Sequence, residues 1–326
     1  MARPLATDPV KEGYWGTPTA TIDWCEANYE VTILVAEFWN TISNLMFIIP
    51  PLAAAYHFRN KVDRVYWLSL LYMAFTGLGS LAFHGTLLYG MQLWDELSMV
   101  WSGLTILYLI IRIHKGDEES TRYVLPLILY GIGTCIVYLS SNTPVIFQVA
   151  YGVIHISVVT LGYKLKNSYP LDMRLYWGTV VMSSVGFVLW NIDNHMCPSL
   201  EQVRTTLRST SSTSVLVPVT QFHALWHCLA GYGAFCMVLY VIQARLFSLH
   251  KVFALSLDPL SGVTLEQVHT EGAETLMTAS GQRYADEDGI VTQKHRPSPG
   301  TVSFISNTLN SGYTQLLKSY HNRKRD

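Results

Sequence analysis

His223 and His227 are four residues apart in a stretch of low charge, so a helix through them sets both imidazoles on one face, one turn apart. Zinc centres take two ligands from one helix in this way. His84 offers a third nitrogen, and three protein ligands with an open fourth position make a catalytic zinc site rather than a closed structural one. Imidazole donors also favour zinc over calcium or magnesium. Ser80 lies one turn before His84 and shares its helical face, within reach of the same metal or its water, and Asp95 follows eleven residues on. The open fourth position suits a water bound to the metal. Two plainer roles compete. Packing histidines satisfied by neighbouring backbone would have the same spacing, and Ser80 could simply allow close helix packing, a role that Gly77 and Gly79 beside it fit better. His155 stands alone in an apolar stretch and is assigned to packing; His195 is a weaker alternative ligand.

A second group of donors lies earlier, in Asp23-Trp24-Cys25-Glu26-Ala27-Asn28, with Glu37 a little further on. Carboxylate and amide oxygens in a short irregular segment suit a hard cation such as Ca²⁺, although this is not an EF-hand loop. An acidic turn that caps a helix N-terminus is the alternative. Asn40 and Asn44 continue from Glu37 as a polar stripe, which reads as interhelical hydrogen bonding.

The elements that must carry these residues are set by composition. Half of the 326 residues are hydrophobic and only 14% are charged, against about 25% in a typical soluble domain. The first 250 residues hold just 29 of the charges. Apolar stretches long enough to cross a bilayer recur seven times, at about 35–57, 66–87, 92–111, 123–139, 145–163, 175–192 and 218–239. The expected fold is therefore an all-α membrane protein, a seven-transmembrane helix bundle. A net charge of −1 without a basic run argues against nucleic-acid binding.

Positive charge orients the bundle, since Lys and Arg concentrate in cytosolic loops. Loops after spans one, three and five hold Arg59, Lys61, Arg64, Arg112, Lys115, Arg122, Lys164, Lys166 and Arg174. Those after spans two and four hold none, and the loop after span six has only Arg204 and Arg208. A lumenal N-terminus and a cytosolic C-terminus follow, with no apolar leader before the first span. The chain divides into a lumenal segment 1–34 with the oxygen-rich motif, a helical domain 35–248 and a cytosolic, mostly disordered tail 249–326. Arg323 and Lys324 near the end suggest dibasic retrieval through coat-protein recognition, with a plain solvated charge run as the alternative. Cys25 and Cys197 share the lumenal side, where a disulfide is permitted. Cys135, Cys228 and Cys236 fall within spans as packing residues.

In this orientation Glu37, His84, Asp95, Glu96, Asp193, His223 and His227 all come to the lumenal third of the bundle. Ionisable groups at such depth need a partner. No Lys or Arg lies in a span near that level, so the expectation is a bound cation.

These residues resemble the alkaline ceramidases, and among them the type 3 branch. The likeness runs from about residue 12 to 248 through Glu12-Gly13-Tyr14-Trp15-Gly16, Asp23-Trp24-Cys25-Glu26, Ala36-Glu37-Phe38-Trp39-Asn40-Thr41, Trp190-Asn191-Ile192-Asp193-Asn194 and Gln221-Phe222-His223. The wider superfamily, with the adiponectin and progestin receptors, shares the pattern that stands here as Ser80/His84, Asp95 and His223/His227. The resemblance implies an intramembrane amidohydrolase of the endoplasmic reticulum and Golgi that cleaves ceramide, entering from the bilayer, to sphingosine and fatty acid. It implies zinc on His84, His223 and His227, with Asp95 as proton shuttle and Ser80 beside it. It implies calcium on Asp23, the Trp24 carbonyl, Glu26, Asn28 and Glu37, and it supports the Cys25–Cys197 disulfide. The polar tail and the Ser/Thr run 209–214 depart from the family pattern. A lipid-sensing receptor with a structural or weakly hydrolytic zinc site is the alternative. A transporter lacks the expected broken helices or inverted repeat.

Overall fold

The structure is a computed structural model that describes residues 12–141 and 143–249, together with the backbone of four short strands beyond. Eleven α-helices occur among the described residues: α1 (Phe38–Ser43), α2 (Leu45–Phe58), α3 (Arg64–Thr86), α4 (Tyr89–Lys115), α5 (Asp117–Ser120), α6 (Val124–Ser141), α7 (Pro144–Leu165), α8 (Met173–His195), α9 (Cys197–Arg208), α10 (Ser211–Ser214) and α11 (Phe222–Ser248). The chain is thus an apolar helical protein. Among the described residues, six helical stretches are long and apolar enough to cross a membrane: α3, α4, α5 continued into α6, α7, α8 and α11.

The first of the seven expected spans is the exception, because it does not form one helix of that length. Residues 35–57 give two shorter helices with a break at Asn44. The reason is competition for one carbonyl. Asn40 O accepts from Ser43 Oγ at 2.8 Å and Asn44 Nδ2 at 2.9 Å and lies 3.1 Å from His227 Nδ1, while the Asn44 N–H turns to Thr41 O at 3.3 Å. The helix tightens there to an i−3 bond. Pro50 and Pro51 inside α2 remove two more N–H donors. The last span is shifted instead, because Pro218 sits in a 3₁₀ turn, Val217–Thr220, and the α-helix begins only after it.

Helix α3 lies between α2 and α4, and α4 in turn packs on α7. Two glycines set the spacing. A Cβ at Gly77 would come within 2.6 Å of Phe47 Cβ on α2, and one at Gly79 within 2.8 Å of the Trp94 ring on α4. The N-terminal segment is stitched to the end of α3 by Thr19 N and Ala20 N to Leu87 O, Ala36 N to Gly85 O and Glu37 N to His84 O. That stitching carries residues 19–37 to the level of His84.

A second unit comprises 167–170 and 245–326. Within it, β1 (Val252–Asp258) pairs antiparallel with β2 (Gly262–Val268), and β3 (Tyr284–Ala285) pairs with β4 (Val291–Thr292). The remainder of the expected disordered tail, with Arg323 and Lys324, lies outside the described residues.

Candidate metal centre

One turn of α11 and the last turn of α3 bring His223, His227 and His84 together. One ligand nitrogen from each lies within 4.8 Å of the others, and all three side chains are buried. Their ring centroids are 4.6 to 5.1 Å apart. Two buried ring nitrogens, His223 Nδ1 and His227 Nε2, have no hydrogen-bond partner. Such orphans are costly unless something accepts their lone pairs. In two of the three rings Nδ1 is spoken for: His84 Nδ1 lies 2.5 Å from Glu37 Oε2, and His227 Nδ1 lies 2.8 Å from Ser43 Oγ and 3.1 Å from Asn40 O. With Nδ1 turned to a carboxylate or a carbonyl, His84 and His227 each leave Nε2 as a free donor to a metal, the usual arrangement behind zinc-bound histidine, whereas the orphaned nitrogen of His223 is Nδ1. The set fits zinc.

Ser80 and Asp95 are also brought together. The Ser80 hydroxyl, one turn before His84 on α3, hydrogen-bonds the Asp95 carboxyl on α4, and both are buried. Glu96, beside Asp95 in sequence, faces elsewhere: Tyr138 Oη donates to it, and Gln92 Nε2 approaches at 3.3 Å. Gln92 Oε1 in turn accepts from Thr21 N at 2.8 Å. His155 stands apart near Tyr151, and His195 is exposed at the end of α8, outside the cluster.

The oxygen-rich segment sits directly against the histidines. Trp24 stacks on His223 with centroids 3.6 Å apart. Glu37 Oε1 accepts from Trp24 N at 3.3 Å, so one carboxylate joins that segment to His84. Glu26 caps α1 from a distance, its two oxygens accepting from Trp39 N at 2.7 Å and Asn40 N at 2.8 Å. Burial pushes the Glu26 carboxyl up to about 8; Glu37 adds to the shift, while those two N–H groups and Arg204 oppose it. Asn28 Nδ2 donates to Asp23 Oδ1 at 3.2 Å, and Asn28 Oδ1 is buried without a partner. An all-oxygen set with an orphaned amide oxygen and repelling carboxylates fits a hard cation.

The expectation that these acids lack a basic partner needs correction. Arg204, on α9 in the connection after α8, turns inward and lies 3.9 Å from Asp193. It also donates to Cys25 O at 2.6 Å and Thr220 O at 2.8 Å. Asp193 accepts from Cys25 N at 3.1 Å and His223 N at 3.3 Å, tying the oxygen-rich segment to the start of α11. Cys25 and Cys197 form a disulfide beside this pair, with Cα atoms 5.3 Å apart. Helix α9 makes this possible because Cys197, Leu200 and Arg204 share one buried face. The signal was present in the sequence as two arginines in a loop that should have been free of positive charge. Arg208, the other one, pairs with Glu30 at 2.6 Å.

The sequence model of the Ceramidase family matches residues 16–255, most of the chain. The chain belongs to the ceramidase family. It is 39% identical over 238 residues to alkaline ceramidase 3 of Mus musculus, covering 72% of this chain and 87% of that one. Alkaline ceramidase YPC1 of Saccharomyces cerevisiae is 28% identical over 258 residues, 73% of this chain and 80% of its own. Alkaline ceramidase 1 of Homo sapiens is 26% identical over 235 residues, 68% and 83%. The matched region contains every residue of the histidine cluster, Ser80, Asp95 and the oxygen-rich segment.

Proposed function

We propose that this member of the ceramidase family hydrolyses the amide bond of ceramide within the membrane, giving sphingosine and a free fatty acid. The observation that carries the reading is the buried triad of imidazoles with orphaned nitrogens, set one helical turn from a Ser80–Asp95 pair. His84, His223 and His227 would hold zinc, which when bound polarises the amide carbonyl and acidifies a water.

Asp95 takes a proton from the attacking water as the new C–O bond forms. It returns that proton to the amine nitrogen as the C–N bond breaks, acting as base and then acid. Ser80 spends its single hydroxyl proton on Asp95 in the resting arrangement and so orients that carboxylate. Its donation to the tetrahedral oxyanion requires the hydroxyl to rotate once Asp95 has taken its proton. Glu37 holds the His84 ring by Nδ1, fixing which nitrogen faces the centre.

Calcium would be held by Asp23, the Trp24 carbonyl, Glu26, Asn28 and Glu37, where it would act on the fold of the segment rather than on the amide. The broken pair α1 and α2 together serve as a seventh span, with the N-terminus lumenal, the C-terminus cytosolic and ceramide entering between helices. Residence in the endoplasmic reticulum and Golgi, with coat-protein recognition of Arg323 and Lys324, completes the reading.

The test is mass-spectrometric detection of sphingosine and fatty acid released from ceramide by the purified chain at mildly alkaline pH. Wild type should release both, and Asp95→Asn should be slower by about 10²–10⁴-fold, the usual contribution of acid–base catalysis. Equal release by the two proteins would remove Asp95 from the chemistry. No release by folded, zinc-loaded wild type would remove the activity.

A further inference from the structure

We infer that residues 13–16 and 31–34 form an interfacial anchor that inserts into the lipid headgroup layer at the end of the bundle where α3 finishes. Outside the helices, the N-terminal segment makes two tight turns that bridge Gly13 to Gly16 and Thr32 to Val35. The turns are clamped to each other. Tyr14 N donates to Ile33 O at 2.9 Å and Trp15 Nε1 donates to Leu34 O at 2.8 Å. Gly16 takes φ +81°, and Gly13 leaves no room for a side chain because a Cβ would meet the Tyr29 ring at 2.1 Å. The clamped turns point their large apolar side chains outward: Tyr14 and Ile33 are each 67% exposed, Leu34 is 54% and Trp15 is 45%.

An extramembrane loop in water gains nothing from displaying four such groups together. The covering partner follows from position. The flanking residues on both chain sides are bonded to the last residues of α3, through Thr19 and Ala20 to Leu87 and through Ala36 to Gly85. The turns are therefore tied to the end of a helix long and apolar enough to cross a membrane. Composition agrees with that level, since Trp and Tyr are enriched at the membrane–water interface. The Trp15 indole N–H is already satisfied by Leu34 O, so the ring can enter an apolar layer without an unpaired donor.

Because the same segment carries Trp24 and Glu37 against the histidines, lipid contact here would hold the site at headgroup depth. That consequence rests on the proposed ceramide reaction; the anchor itself does not. The experiment uses the full chain in bilayer nanodiscs made with phosphatidylcholine brominated near the top or near the end of the acyl chain. The emission difference between wild type and Trp15→Phe isolates Trp15. It should be quenched by shallow bromines more than by deep ones and resist aqueous iodide. Quenching of that difference by iodide alone would overturn the anchor. Ile33→Gln with Leu34→Gln should lower the shallow quenching and raise the apparent KM for bilayer ceramide about threefold or more at unchanged kcat, as expected for lost interfacial contact. Unchanged quenching in this variant would overturn the assignment of the second turn. If quenching falls while KM stays constant, the anchor stands and its link to ceramide capture fails.

Discussion

The histidine centre and the oxygen-rich N-terminal segment meet at Glu37, yet they are held by opposite means. The three imidazoles stand on long helices whose backbones satisfy themselves, and only their rings needed positioning. Asp23 to Glu37 has little regular structure of its own. It is held from outside, by Arg204 and Asp193, by the Cys25–Cys197 disulfide and by backbone bonds to the end of α3. Nitrogen donors fixed by helix geometry form a site that persists as helices persist. Oxygen donors on an irregular loop form one that depends on every tie around it. The loop is the half of this arrangement that a single lost contact can undo.

The largest effect that separates the two halves should come from Arg204→Ala. It leaves Asp193 without its cation and strips donors from the Cys25 and Thr220 carbonyls, so unfolding should become easier by about 3–5 kcal/mol, the usual result of breaking a buried pair from one side. Thermal unfolding in detergent checks this, and Arg204→Lys should recover only part because it cannot fork. A loss confined to activity, with unchanged melting, would mean the two halves are not mechanically distinct.

Glu37→Gln touches both halves and should have a middle-sized effect. The amide keeps the shape but no longer offers His84 Nδ1 a charged acceptor, so zinc affinity should fall by about 10–100-fold. Competition against a zinc-binding dye measures it. Unaltered zinc affinity would place Glu37 with the loop alone.

The smallest effect belongs to Glu26. Its folded carboxyl is raised to about 8 from 4.5, so without a bound cation its stabilising contribution is whole below about 4.5 and lost as pH rises through about 8. Melting in chelator should therefore fall across that window. Calcium should reverse the trend by binding the ionised form. Glu26→Gln should flatten the profile while costing about 1 kcal/mol as a weakened cap.

The same contrast explains what the sequence disclosed. Helical spacing alone joined His223 to His227 and Ser80 to His84, because i, i+4 neighbours share a face wherever a helix forms. The six apolar stretches after the first expected span were legible from their length and lack of charge. The break at Asn44 was hidden, since it depends on three groups competing for the Asn40 carbonyl, including an imidazole 187 residues away. Arg204 was visible only as a charge on the wrong side of the bundle. Its burial depends on a helix, α9, whose apolar face is too short to register as a span. The Thr21–Gln92–Glu96–Tyr138 chain left no pattern, because its members come from three separate elements.

The most direct test of the central claim is zinc per chain and sphingosine release measured on the same samples of wild type, Asp95→Asn and His223→Ala. The account predicts one zinc with turnover, one zinc with turnover reduced by about 10²–10⁴-fold, and neither zinc nor turnover, respectively. Stoichiometric zinc retained by folded His223→Ala, or full turnover by Asp95→Asn, would contradict it.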